Sequence, residues 1–146
     1  NKLIQSLINL ISNLKKKYNI NSQNILGHSD IAPFRKIDPG STFPWKKLHS
    51  KKIAILPKKI NVNDLIKVNN ILKNKIKGSI KHKALYMLKQ IGYDVLPAKK
   101  SNKKYNLLIK AYQMRYVKVK RLGKLNYITY YVIKSHFNQL LTHKHF

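Results

Sequence analysis

The chain opens with apolar side chains spaced three and four apart: Leu3, Ile4, Leu7, Ile8, Leu10, Ile11 and Leu14. This spacing predicts an amphipathic helix, and Lys15, Lys16 and Lys17 bring cations to its C-terminal end, where the helix dipole is negative. Asn19 to Asn24 then turn the chain, and Ile25-Leu26 reads as a short apolar strand ending at His28. Pro33, Pro39-Gly40 and Pro44 make the next stretch a loop, since proline lacks a backbone donor and fixes φ. Trp45 and Leu48 start a helical turn that packs back, Ile53-Ala54-Ile55-Leu56 ends at Pro57, and Lys58-Lys59 marks a break in composition.

Beyond that break the period is helical throughout. Val62, Leu65, Ile66, Val68, Ile71 and Leu72 share one face of a helix over 61–77, with Asn61 or Asn63 as cap and Gly78 as its end. A second helix runs from His82 to Ile91 and stops at Gly92; Tyr93 to Pro97 is a connection; a third spans Lys104 to Tyr116. Gly123 turns the chain, Asn126 caps, and Ile128 to Leu141 forms the last helix. Three short helices joined by such turns are able to close a small core of their own.

Composition changes the picture in three ways. The 43% of apolar residues is enough to build a core, which argues against disorder. A net charge of +27 raises the question of nucleic acid. The lysines, however, are spread over nearly every segment amid Asn and Ile, arginine occurs only at 35, 115 and 121, and no helix-turn-helix, zinc-finger or stacking-platform pattern is present. Compositional drift is the reading, with no specific nucleic acid expected and a general preference for anionic polymers, cell-wall glycans included. Without cysteine neither a disulfide framework nor a thiolate metal site is possible. No apolar run reaches the length of a membrane span, and nothing resembles a signal peptide.

Candidate chemistry gathers in the loop from Ile25 to Trp45. Of four acidic residues, Asp30 and Asp38 both lie here, beside His28 and Lys36. Histidine and carboxylate are donors that zinc accepts when one position must stay open for water. Pro39, directly after Asp38, restricts that aspartate's backbone. The run His28-Ser29-Asp30-Ile31-Ala32-Pro33, followed by Arg35-Lys36-x-Asp38-Pro39-Gly40 and Phe43-Pro44-Trp45, resembles the signature of zinc-dependent N-acetylmuramoyl-L-alanine amidases of the type 2 class. The resemblance implies that His28 and Asp38 are zinc ligands, that Lys36 helps to stabilise an oxyanion, and that the substrate is the amide between N-acetylmuramic acid and the first alanine of peptidoglycan. Leu88 to Tyr93, Ala111-Tyr112-Gln113 and Gly123-x-Leu125-Asn126-x-x-Thr129 resemble a three-helix peptidoglycan-binding module, with Asn126 and Tyr112 standing where Asp and Phe are common in that family.

The fold these resemblances imply is an α/β fragment, the C-terminal half of a type 2 amidase domain over 1–60, then a connecting helix over 61–80 and an all-α three-helix domain over 81–146. The chain opens on Asn1 and runs straight into helical sequence, so a fragment is expected. In the family's order a first ligand histidine and a glutamate acid/base come earlier, whereas here no histidine precedes His28 and there is no glutamate. Little activity is therefore expected from the chain alone, and a separate N-terminal amidase portion is a candidate partner beside peptidoglycan and muropeptides. Non-catalytic wall binding is the alternative, and a basic nucleic-acid binder a more distant one. His49 reads as a packing-turn residue, His143-x-His145 as a polar tail, and Asp30 as a loop hydrogen-bond acceptor. The cell envelope or periplasm is the expected compartment, with the cytoplasm as the other possibility.

Overall fold

The computed structural model describes residues 2–117 and 122–143; His145, and the side chain of His143, lie outside what is described. Among the described residues eight α-helices follow one another, with a short 3-10 turn at Ser22–Asn24 after the first: α1 (Lys2–Tyr18), α2 (His28–Ile31), α3 (Trp45–Ser50), α4 (Val62–Lys75), α5 (Ile80–Ile91), α6 (Leu96–Lys100), α7 (Asn102–Tyr116) and α8 (Tyr127–His143). None of these is long and apolar enough to cross a membrane.

The expected α/β character of the first 60 residues is not found, because there is no strand among the described residues. Ile25 and Gly27 do have extended backbones (φ −86°, ψ 99° and φ −85°, ψ 159°), but an extended segment becomes a strand only when a neighbour completes its ladder. Here the Ile25 carbonyl instead accepts a hydrogen bond from the Arg115 side chain at 2.9 Å. The chain then turns at once into α2, so His28 begins a helical turn.

Two apolar clusters hold the molecule. The smaller packs Ile8 of α1 against Trp45, Leu48, Ile53 and Ala54, with Ile4, Ile11, Ile25 and Phe43 around them. Ile8 is buried and Ile4, Leu7 and Ile11 are half-buried, whereas Leu3, Leu10 and Leu14 are exposed. The larger cluster brings together α4 (Val68, Leu72), α5 (Leu85, Met87, Leu88), α7 (Tyr105, Leu108, Ile109, Tyr112) and α8 (Ile133, Phe137). Helix α4 thus packs into this core. The stretch before it is docked as well: Lys58 donates to Gln139 at 3.1 Å, Ser135 donates to the Lys58 carbonyl, and Tyr131 donates to the Ile60 carbonyl at 3.0 Å.

The helix ends follow local rules. Asn61 Oδ1 accepts from the Asp64 backbone amide at 2.8 Å while Asn61 Nδ2 donates to the Asp64 carboxylate at 3.0 Å, a cap on α4 closed by two side-chain bonds. Gly92 stops α5 in the left-handed region (φ 116°), where a glycine carries no Cβ penalty. Asn126 accepts from the Thr129 amide at 2.8 Å at the start of α8. The connection read at Tyr93 to Pro97 holds instead the beginning of α6, with Pro97 near its first turn, where a missing N–H costs nothing.

Buried Gln113 of α7 joins the two halves of the 111–129 pattern. Its amide donates to the Lys124 carbonyl and to Thr129 Oγ1, both at 2.9 Å, and its oxygen accepts from the Gly123 amide at 2.7 Å. Gln113→Leu should therefore cost about 1–3 kcal/mol by stranding these groups, whereas Ile66→Ala at an exposed position should change stability by less than about 0.5 kcal/mol; urea denaturation followed by circular dichroism measures both.

Candidate functional site

The loop from Gly27 to Gly40 is closed on itself by backbone contacts. The Ser29 amide donates to the Asp38 carbonyl at 2.9 Å, which brings residues nine apart in sequence side by side. Ala32 donates to the His28 carbonyl at 2.9 Å and Lys36 to the Ala32 carbonyl at 3.0 Å, winding the intervening turn. The Asp38–Pro39 peptide is cis. Gly27 is required by close approach: a Cβ there would lie 2.8 Å from Pro39 Cδ and 3.2 Å from the Trp45 ring.

This geometry sets His28 Nδ1 3.0 Å from Asp38 Oδ2, with side chains 45% and 61% exposed. Desolvation raises the Asp38 pKa. The backbone hydrogen bond at Asp38, the hydrogen bond from His28 and the positive charges of His28 and Lys36 outweigh it, and the carboxyl is held below its usual range. Two groups able to ligate a metal thus stand together at the surface, with the half-buried Lys36 lending its charge. By residue type they suit a zinc ion that keeps a position for water, but no group of three His, Cys, Asp or Glu is gathered among the described residues. His49 is not brought to the pair; its ring bonds the Ala54 carbonyl at 3.0 Å.

Asp30, in the same loop, has the opposite environment. It is buried, and its Oδ2 accepts from the Gly27 amide at 2.7 Å and from Arg115 Nη1, while Oδ1 accepts from the Tyr93 hydroxyl at 2.8 Å. The Arg115 guanidinium lies 4.1 Å from the Trp45 ring centroid and 5.0 Å from that of Tyr116. Arg115 and Tyr93 come from the far part of the chain, and sequence reasoning assigned neither a role here. The available signal was the rarity of arginine in a lysine-crowded sequence.

Beside this knot a cleft of about 290 Å³ is lined by Leu26, Asp30, Tyr93, Arg115, Tyr116 and His136, among others. Burial pushes the Tyr93 and Tyr112 hydroxyls well above their ordinary pKa. Burial, reinforced by the Arg115 charge and partly countered by Asp30, lowers His136 to about 4.

No family model matches the chain. It is 35% identical over 115 residues to the N-acetylmuramoyl-L-alanine amidase AmiD of Escherichia coli, covering 77% of this chain and 39% of that protein. It is 44% identical over 46 residues to the 1,6-anhydro-N-acetylmuramyl-L-alanine amidase AmpD of Enterobacter cloacae, covering 32% of this chain and 25% of that one. The solved structure of E. coli AmiD with anhydro-N-acetylmuramic acid-L-Ala-D-gamma-Glu-L-Lys superposes with a TM-score of 0.73 at 29% identity, over 93% of this chain and 51% of the other. The chain therefore spans between about two fifths and half of AmiD.

Two outcomes are expected from this geometry. Gly27→Ala should lower stability by about 1–3 kcal/mol through overpacking against Pro39 and Trp45, read from chemical denaturation. Because folded His136 titrates at about 4 against 6.5 in a free chain, the unfolded state binds the extra proton between those values. Stability should then fall as pH drops from 6.5 towards 4, by an amount approaching ~3 kcal/mol relative to His136→Gln, in which this slope disappears. Denaturation midpoints of both proteins across that range are the check.

Proposed function

We propose, on the premise that this chain is a homologue of the N-acetylmuramoyl-L-alanine amidases, that it supplies the C-terminal part of such an enzyme, which hydrolyses the amide between N-acetylmuramic acid and L-alanine in peptidoglycan. The observation that carries the reading is the exposed His28–Asp38 pair, closed at 3.0 Å within the stretch that resembles the amidase signature. In this reading His28 and Asp38 hold a zinc ion; when bound, such an ion brings the pKa of a coordinated water towards neutrality and polarises the scissile carbonyl. Asp38, kept ionised below its usual range, is ready to donate its oxygen even in mildly acidic solution. Lys36 presents a positive charge beside the pair, placed to meet the negative charge that develops on the carbonyl oxygen.

The remaining ligand and the acid/base group belong, in this proposal, to the part of the amidase domain outside the shared region, since the matched AmiD structure is about twice as long as the overlap. Residues 1–60 belong to the catalytic domain, 61–80 form a connecting helix, and 81–146 form a helical unit that holds peptidoglycan, with the charge of +27 favouring anionic wall polymer. The compartment proposed with such a substrate is the cell envelope or periplasm, with the cytoplasm as the alternative. That no third His, Cys, Asp or Glu among the described residues is gathered with the pair favours one second reading, a wall-binding protein without catalysis.

Combining the chain with the complementary amidase segment, zinc and a muramyl tripeptide should release tripeptide with a free alanine amine, seen by mass spectrometry. His28→Ala and Asp38→Ala should abolish release, and Lys36→Ala should lower kcat by about 10²–10³-fold. Uncut substrate, together with co-sedimentation on sacculi that survives high salt, would establish the second reading in its place.

A further inference from the structure

The loop that carries His28 and Asp38 is anchored from the other end of the chain. Arg115 of α7 sends one arm of its guanidinium to Asp30 and the other to the Ile25 carbonyl, at 2.9 Å. These two acceptors straddle Gly27 and His28, so the planar fork sets the spacing of the elbow from which His28 projects. Asp30 passes the restraint on: its Oδ2, held by Arg115, also holds the Gly27 amide at 2.7 Å immediately before His28. Ser29 then carries it to the other member of the pair through its bond to the Asp38 carbonyl at 2.9 Å. Trp45 closes the far face of the guanidinium at 4.1 Å, and Tyr93 fixes the second Asp30 oxygen at 2.8 Å. Among the described residues, both hydrogen bonds of the Arg115 head group go to residues 25–30, and Tyr116 of its own helix adds only a ring contact.

We propose that Arg115 is a positioning residue for the His28–Asp38 pair, and that the C-terminal helices are part of the framework of the site and not merely a tethered binding unit. Lysine cannot replace it, because a single ammonium has no planar fork to span two acceptors while stacking on an indole. The inference rests on the reading of His28 and Asp38 as the functional pair, but its test does not use catalysis.

The test is amide hydrogen exchange and imidazole ¹⁵N NMR on the full chain, wild type against Arg115→Lys. Loss of the fork should speed exchange at Gly27 and Ser29 by about tenfold or more. The His28 ring shifts should also move towards those of Asp38→Ala, while the core amides of Leu108 and Ile109 keep their protection. Unchanged Gly27, Ser29 and His28 signals would overturn the proposal. So would changes that merely parallel those at Leu108 and Ile109, since these mark a general loss of stability. If Arg115→Lys does not fold, Tyr93→Phe, which removes one bond to the same Asp30 carboxylate and leaves the Trp45 stack intact, is judged by the same criteria. If the exchange data agree while the reconstituted enzyme leaves muropeptide uncut, the amidase reading fails and the positioning role stands.

Discussion

The contact between Asp30 and Arg115, with side chains 5% and 3% exposed, is the constraint on which the rest of the structure depends. Removing a carboxylate and a guanidinium from water is expensive, and their attraction offsets the loss only where the geometry is good and the remaining donors and acceptors are met. Here Asp30 takes three hydrogen bonds, Arg115 gives one from each terminal nitrogen, and Trp45 and Tyr116 flank the cation, while Arg115 Nε is buried without a partner. The two apolar clusters meet at a knot of oriented polar groups. An apolar seam would tolerate sliding; a forked cation on two defined oxygens does not.

The loop at that knot contains two aspartates eight residues apart with opposite fates. Asp30 points inward, and the three hydrogen bonds that it accepts serve the fold. Asp38 points outward, more than half exposed, with His28 beside it and the Lys36 charge close by. The first fixes the elbow, and so the second is free to present an oxygen to solvent. A carboxylate engaged as Asp30 is would have little left for a metal, and one as exposed as Asp38 would do little to hold the chain.

What was legible in the sequence follows the range of the interactions involved. Caps at Asn61, Gly92 and Asn126, and the helices they bound, depend on groups within three or four residues and were readable. The proximity of His28 and Asp38 was readable too, through an ordered motif in a single loop. The strand at Ile25-Leu26 was misread because apolar character fixes neither a ladder partner nor its absence, and the Ile25 carbonyl found a side chain instead. The apolar spacing of α1 made the helix readable but did not separate the inward Ile4, Leu7, Ile8 and Ile11 from the exposed Leu3, Leu10 and Leu14, which packing decides. The bond between Asp30 and Arg115 crosses 85 residues, and no periodicity reports such a pairing.

The chain carries a charge of +27 with four acids. Several lysines find neutral partners. Lys15 donates to the carbonyls of Lys52 and Ile53, Lys81 to Asn102 and Lys134 to Asn69. Lys81 also lies 4.9 Å from the Tyr105 ring centroid and Lys134 4.5 Å from that of Tyr130. Repulsion between exposed lysines fades over about 8 Å at physiological salt, so local partners of this kind suffice at the surface. They do not suffice for a guanidinium out of water, where only a full negative charge offsets the lost hydration. A chain can exchange its surface acids for amides and lysines at little cost, but the carboxylate that faces Arg115 cannot be exchanged in the same way.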